Sequence, residues 1–546
     1  MTSNYTEYSD SQKPSLQLLQ KMNWQYLSPN EVMNAREEMY SNVVLDKILA
    51  KQLSKINSFD YKGEQYPFST GSIQGAINAL KNVPNEGLVQ TNERVYDLLT
   101  LGKSFNETVQ GDRKAYTIKY IDWETPENNS FHVCDEFEVE GVQGKKRPDI
   151  VLFVNGIPFV IIENKRRDKD DSLDEAISQH LRNQKEKEGI PKLFYYAQLL
   201  LAVQPNEVKF GATGTPAKFW SIWKEENEKE ITKLLRKKVN NTKAENRLVT
   251  EQDKSLYALC RPNRLLDIVY KYIVFDGPDK KICRYQQFFA VQETIDRVKQ
   301  RNKEGNRQGG VIWHTTGSGK SLTMVMLSKA LALETSIESP RVIIVTDRVS
   351  LDKQIFKTFV NCGKQVKKAR SGNDLVDLLK DKGNEIITTI IDKFEIATKR
   401  ASFKDQSQNI FVLVDESHRS QYGSAHANMK RIVPNASYIG FTGTPLMKNQ
   451  KSTSKVGGFI HKYTIDQAVK DGAVLPLLYE GRSAKLSINK KQIDKGFERL
   501  SEPLSEDARK DLKKKFASIS KIYESNHVIE EIAYDISKHF VENWQG

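Results

Sequence analysis

The chain has 546 residues, of which 38% are hydrophobic and 28% charged, and a formal net charge of +13. That is enough chain for roughly three or four globular domains with real cores. No run reaches the apolar length of a membrane-spanning helix, and the polar start MTSNYTEYSDSQKPS lacks an apolar signal core, so a cytoplasmic location without a membrane partner is expected. Cys134, Cys260, Cys283 and Cys362 are too far apart for a disulfide scaffold or zinc site, and the positive charge favours a polyanionic partner.

From the N-terminus, helical patterns are expected near Ser15–Met22, Val43–Ile56, Ser72–Asn82 and Asn92–Leu101, with no motif among them. The first informative stretch is Arg147-Pro148-Asp149, the apolar run IVLFV, the pair Asn155-Gly156, and IPFVIIENK ending at Lys165. Two apolar β-rich runs joined by Asn-Gly predict a hairpin. Glu163 and Lys165 are two apart, so on a strand they share a face. With a two-residue loop, Asp149 lies opposite Ile162 and Glu163 points away. With a three-residue loop and Gly156 left-handed, Asp149 lies opposite Ile161 and shares the face of Glu163. Two carboxylates can share a metal only in the second register, or where a bulge elsewhere shifts the phase. The odd register is therefore predicted.

Ser172–Lys185 reads as a helix with Ser172 as N-cap and Glu175 completing a capping box. An apolar segment (193–203), the phrase FGATGTPAKFWSIW and a highly charged stretch from Lys224 to Lys254 follow. That charge run is read as a solvated helix face or linker.

Past Arg261 the pattern changes to strand–helix units, with strands expected at 311–313, 342–346, 386–391, 411–414 and 438–441. This predicts a parallel sheet with helices on both faces and its site at the carboxyl ends of the strands. Gly310–Ser321, GVIWHTTGSGKS, is a strand, a small-residue loop and the start of an amphipathic helix. Backbone N–H groups of Thr316, Gly317, Ser318 and Gly319 suit a phosphate, Lys320 its β/γ charge, and Ser321 a Mg²⁺ ion. His314 stands where the usual first glycine of such a loop belongs. Gln287, with Gln286 second, is placed to read adenine. In FVLVDESH, Asp415 is placed to bind Mg²⁺ and Glu416 to polarise the water attacking the γ-phosphate. In FTGTP, Thr442 and Thr444 are placed to sense that pair.

The RPD, Asn-Gly and Glu-Asn-Lys arrangement resembles the PD-(D/E)xK nucleases. That resemblance implies Asp149 and Glu163 as Mg²⁺ ligands and Lys165 as the residue orienting the attacking water. Some members carry Gln-x-x-x-Tyr on the next helix. Here Gln179 is followed by Asn183, which leaves Gln179 as a substrate contact or a solvated residue and the tyrosine role unfilled. The later motifs resemble superfamily 2 helicases and translocases, which makes VTDRVSLDKQ and Thr388–Phe394 backbone-contacting and gives His418 the coupling of nucleotide state to DNA.

In order and wording, RPDIVLFVNGIPFVIIENK, HTTGSGKSLTM, DESHRSQYG, FTGTPL and YTIDQAVKDGAVLPLLYEGR resemble the restriction (R) subunit of type I restriction–modification enzymes. The resemblance implies an α/β architecture: an endonuclease domain over 1–260 (core about 120–205), a first RecA-like helicase domain over 261–470, and over 471–546 the lead-in to a second. It also implies ATP-driven translocation and Mg²⁺-dependent cleavage of double-stranded DNA, with methyltransferase and specificity subunits as partners. No candidate for the family's motifs IV to VI is present, so weak ATP binding and little turnover are expected of this chain by itself. A helicase of another kind, and a non-catalytic DNA- or complex-binding fragment, are the competing readings.

Overall fold

The structure is a computed structural model that describes residues 6–167, 172–239, 242–400, 403–415, 422–444, 457–476, 490–516 and 526–544. Residues 1–474 form one unit with two principal sheets, and 475–546 a second that contains the helices Lys490–Ser501, Glu506–Phe516 and Asn526–Trp544.

The first sheet is mixed. Its strands are β1 (Gln25–Tyr26), β2 (Phe131–Asp135), β3 (Ile150–Val154), β4 (Ile157–Asn164), β5 (Leu199–Gln204) and β6 (Glu207–Gly211), in spatial order β1 to β6. β3 and β4 are buried on both faces, which is why they read as unbroken apolar runs rather than alternating ones. Helices α1 (Lys13–Lys21), α2 (Leu88–Leu101) and α3 (Ser172–Asn183) belong to the same half.

The predicted three-residue loop is not found. Asn155 (φ 52°) and Gly156 (φ 83°) form a two-residue turn with Ile157 paired to Val154, the geometry Asn-Gly favours. The phase changes further along: the register shifts between Pro158 and Val160, so that Ile162 faces Ile150. Continued by one residue, this sets Asp149 against Glu163. The odd register is present, but a bulge at Phe159 creates it. Proline lacks the N–H that a central strand uses, so Pro158 marks the place where the ladder slips. The Phe159 carbonyl accepts instead from the Gln198 N–H at 2.8 Å.

The turn itself is clamped. The buried Asn155 side chain accepts from the Ser130 N–H and donates to the Tyr120 carbonyl, and the Gly156 carbonyl accepts from the Leu45 N–H. A Cβ on Gly156 would meet the Leu45 carbonyl at 2.7 Å. Gly156→Ala is therefore expected to destabilise the protein by about 1–3 kcal/mol, measurable as a lower urea midpoint with an unchanged slope.

The second sheet holds β7 (Gly310–His314), β8 (Arg341–Thr346), β9 (Val366–Lys368), β10 (Ile386–Ile390), β11 (Ile410–Asp415), β12 (Ser437–Thr442) and β13 (Phe459–Tyr463). The order is β9-β10-β8-β11-β12-β7-β13 and every pairing is parallel. The five expected strands are its centre, and β9 and β13 are additions at its edges. Helix α4 (Lys320–Ala332) is buried nearly all round rather than amphipathic as expected, because it packs against the helices Pro262–Tyr272, Tyr285–Lys299 and Val349–Asn361.

The charged stretch 224–254 is not a linker. Ile231 and Leu235 of helix Glu228–Leu235 are buried, and the Lys21 ammonium of α1 donates to the Leu235, Lys237 and Lys243 carbonyls. Two ammoniums, the buried Lys280 and the half-buried Lys329, tie the hairpin Ile273–Asp276/Asp279–Ile282 and α4 to α2. Lys280 donates to Asn92 Oδ1 and Gln198 Oε1, each at 2.7 Å, and Lys329 donates to the Tyr96 hydroxyl at 2.6 Å. Burial pushes Lys329 down from its ordinary value to about 7. Between pH 7 and 10 the unfolded chain then holds a proton the folded one lacks, so stability rises with pH across that window and is flat below it. The wild type is expected to gain on Lys329→Met between pH 7 and 9 by at most about 1.4 kcal/mol per pH unit, read from urea midpoints.

Candidate functional site

Two groups of residues come together in the first unit. At the end of the β3–β4 pair, Glu163 is fully buried and Asp149 lies beside it. Asp149 Oδ2 accepts from the Asn164 N–H at 2.6 Å, and Glu163 Oε2 from Gln179 Nε2 on α3 at 2.7 Å. Gln179 is thus a support for Glu163 rather than a solvated residue. Lys165, only 6% exposed, is held by its backbone N–H on the Val203 carbonyl of β5, and its ammonium lies 3.3 Å from Glu7 Oε1.

Burial raises both carboxyls, Asp149 to about 6 and Glu163 well above the usual range, where the charge of Asp149 adds to the effect. Lys165 opposes the rise in both. Two carboxyls pushed up together at one place mark a candidate functional site. Glu163 Oε1 is buried without a hydrogen bond. A buried carboxyl oxygen with no donor, beside a second carboxyl that burial also penalises when charged, is what a divalent cation satisfies, so the residues fit such an ion. Among the described residues no three Asp, Glu, His or Cys side chains are gathered closely enough to hold a metal by themselves, so water or substrate would complete the shell.

The helix expected to begin with a Ser172 cap differs in detail. Ser172 is already helical, and its hydroxyl donates to Gln204 Oε1 at 3.2 Å. Residues the sequence did not flag lie on the N-terminal turn Tyr8–Gln12. Asp10 holds Arg167 at 2.6 Å, Gln12 donates to the Asp149 carbonyl, and Ser11 accepts from Asn164 Nδ2. Only the acidic and polar character of this stretch was visible, with no local spacing rule to single it out.

The second group lies at the carboxyl ends of the parallel strands. Gly317 (φ 84°) and Gly319 (φ 91°) give the loop its curl, and Ser318 Oγ closes it by donating to the Thr315 carbonyl at 2.6 Å. Gln287 Nε2 donates to the Gly319 carbonyl at 3.2 Å, while its Oε1 accepts from the Arg284 N–H. Gln286 and Gln287 are both buried, and the hydrogen bond to Gly319 makes Gln287 the one that meets the loop. Trp313 Nε1 donates to the Gly443 carbonyl, and a Cβ on Gly443 would lie 2.8 Å from Thr316 Oγ1 and 3.4 Å from the Lys320 ammonium. The loop, Lys320 and the segment bearing Thr442 and Thr444 therefore converge. Asp415 ends the adjacent strand, in register with Phe441. Ser321 follows Lys320 in the first turn of α4. Glu416 and His418 lie outside the described residues.

His314 replaces a glycine without blocking the loop, because its side chain packs into the sheet. Its Nε2 lies 2.9 Å from His461 Nδ1 on β13, and burial lowers the two rings to about 3 and about 4. Asp471 braces the region, accepting from Lys224, Tyr285 and Tyr463. A cavity of about 420 Å³ opens on Gly317, Ser318, Gly319, Arg284 and Gln287, and its far wall is Gly214, Pro216 and Phe219, just past β6 of the first sheet. A glycine loop at a helix N-terminus, a lysine and an adjoining cavity fit a nucleoside triphosphate.

Comparison with known proteins gives two family matches: residues 4–219 match the type I restriction enzyme R protein N terminus, and residues 286–510 the SWI2/SNF2 ATPase. The type I restriction enzyme HindI endonuclease subunit of Haemophilus influenzae is 30% identical over 98% of this chain and 51% of its own length. The SauCOLORF180P endonuclease subunit of Staphylococcus aureus is 31% identical over 71% of this chain and 42% of its own. The chain spans about half the length of the curated relatives it matches. Among solved structures, the SWI2/SNF2 ATPase core of Sulfolobus solfataricus in complex with dsDNA aligns over 34% of this chain and 35% of its own. Its identity is 15% and its TM-score 0.24, too low to bear on the argument.

Proposed function

Because this chain is homologous along nearly its whole length to type I restriction enzyme endonuclease subunits, with an R-protein N-terminal domain and a SWI2/SNF2 ATPase domain, we propose that it is the cutting and motor subunit of such an enzyme. It cleaves double-stranded DNA at a Mg²⁺-dependent centre formed by Asp149, Glu163 and Lys165, and contributes the first ATP-binding domain of the motor that moves DNA past that centre. Its partners are the methyltransferase and specificity subunits that recognise the DNA site. The observation that carries the reading is the bulge-set opposition of Asp149 and Glu163, with Glu163 Oε1 buried and without a hydrogen bond.

When bound, the divalent ion supplies a Lewis acid for the phosphodiester and lowers the pKa of the attacking water. The chain's own residues prepare its place. The Asn164 N–H fixes Asp149 Oδ2 and Gln179 fixes Glu163 Oε2, and Asp149 and Glu163 would hold the ion. Lys165 orients the water and offsets charge developing on the phosphate.

In the motor, the N–H groups from Thr316 to Gly319 cradle the phosphates, Lys320 neutralises β/γ charge, and Ser321 with Asp415 holds Mg²⁺. Gln287 reads the adenine, Glu416 polarises the water, Thr442 and Thr444 sense the Asp415–Glu416 pair, and His418 passes nucleotide state to the DNA. The net charge of +13 supports a polyanionic track.

The test is cleavage of supercoiled plasmid by the chain with its methyltransferase and specificity partners and ATP. Mg²⁺-dependent cutting, nicking included, that EDTA stops is the expected result. Intact plasmid under those conditions, with the complex assembled, would refute the proposal.

A further inference from the structure

We propose that Glu7 is a positioning residue of the nuclease centre: it holds the Lys165 ammonium off the Asp149–Glu163 pair, so that the pair stays open to a divalent cation. This rests on the nuclease reading above.

The N-terminal turn Tyr8–Gln12 is π-helical, a wide turn that recurs at functional sites. It lies across the end of the β3–β4 pair, and its contacts fall on the residues around the carboxylates: Asp149, Asn164 and Arg167. Glu7, just before it, reaches Lys165 at 3.3 Å. The Lys165 ammonium is almost wholly withdrawn from water, so it must spend its charge on a nearby anion. The anions in reach are Glu7, Asp149 and Glu163. An ammonium seated between the last two would occupy the place a cation takes and compete with it for the same oxygens. Glu7 removes that competition by giving Lys165 a partner to one side. The bidentate Asp10–Arg167 pair, with Asp10 buried, fixes the turn and hence the position of Glu7. Glu7 is not gathered with the other two carboxylates into a three-acid metal site, so it acts through Lys165 and not as a ligand.

The experiment is calorimetric Mn²⁺ titration of the full chain, run on wild type, Glu7→Gln, Glu7→Asp, Lys165→Met, the Glu7→Gln/Lys165→Met double variant and Asp149→Asn. The Glu7 side chain is 39% exposed, so Glu7→Gln keeps the shape and removes only the charge. It is expected to weaken Mn²⁺ binding roughly tenfold, with Glu7→Asp recovering most of the loss. Removing Lys165 as well is expected to restore wild-type affinity, which a merely structural role for Glu7 cannot do. Wild-type affinity in Glu7→Gln, or a double variant as weak as Glu7→Gln, overturns the proposal while leaving the nuclease reading intact. Unchanged affinity in Asp149→Asn overturns the cation site itself, and this proposal with it.

Discussion

Asp149→Asn and Glu163→Gln are each expected to lower Mg²⁺-dependent DNA cleavage by on the order of 10²–10³-fold and, at neutral pH, to leave the metal-free protein at least as stable as the wild type. Most buried substitutions do the opposite. The reason is the desolvation that raises both carboxyls. The folded-state pKa lies above the unfolded one, so the pair's contribution to stability is full at low pH and lost as pH rises through about 6 for Asp149. An amide of the same shape carries no charge and escapes that penalty. In both variants the new amide can still offer its carbonyl oxygen to the donor the carboxylate held, Gln179 Nε2 at position 163 and the Asn164 N–H at position 149. Plasmid cleavage rates together with urea midpoints check both halves; a variant that loses stability as well as activity would point to a structural role.

The second large effect is expected from Lys320→Ala: ATP binding weakened by about 100-fold or more, equivalent to about 2.7 kcal/mol. Lys320 is the first residue of α4, and its ammonium lies beside Gly443, where the loop and the Thr442 segment meet. The helix below it is held by buried apolar side chains and by Lys329, none of which the substitution touches. The melting temperature should therefore move little. Titration with a fluorescent ATP analogue reads the affinity, and unchanged binding would remove the loop from the nucleotide site.

Much of this arrangement was legible in the residues because it is written locally. The central strands β8, β10 and β11 are buried on both faces and read as apolar runs, and the glycine loop and Asp415 follow such strands directly. The edge strands β9 and β13 were not legible: Val366–Lys368 is three residues with two lysines, and in Phe459–Tyr463 the pair His461-Lys462 interrupts a short apolar run. The register of Asp149 and Glu163 was inferred from the chemistry it had to serve, and its cause was misplaced. The turn obeyed Asn-Gly, and Pro158, a residue that belongs at bulges in a central strand, was the signal that could have located the shift. Glu7 and Asp10 lie more than 150 residues from the lysine and arginine they hold, and Lys280 and Lys329 similarly reach distant partners. Such pairings depend on tertiary packing, which periodicity and spacing do not encode.

The central claim is that the phase shift at Phe159 brings Asp149 and Glu163 together around one divalent cation. Its most direct test is an anomalous difference map from a crystal of the chain soaked in Mn²⁺. A single strong peak at roughly 2.0–2.4 Å from oxygens of both carboxylates is predicted. A well-ordered Asp149–Glu163 pair with no peak between them, at a Mn²⁺ concentration that supports cleavage, would contradict it.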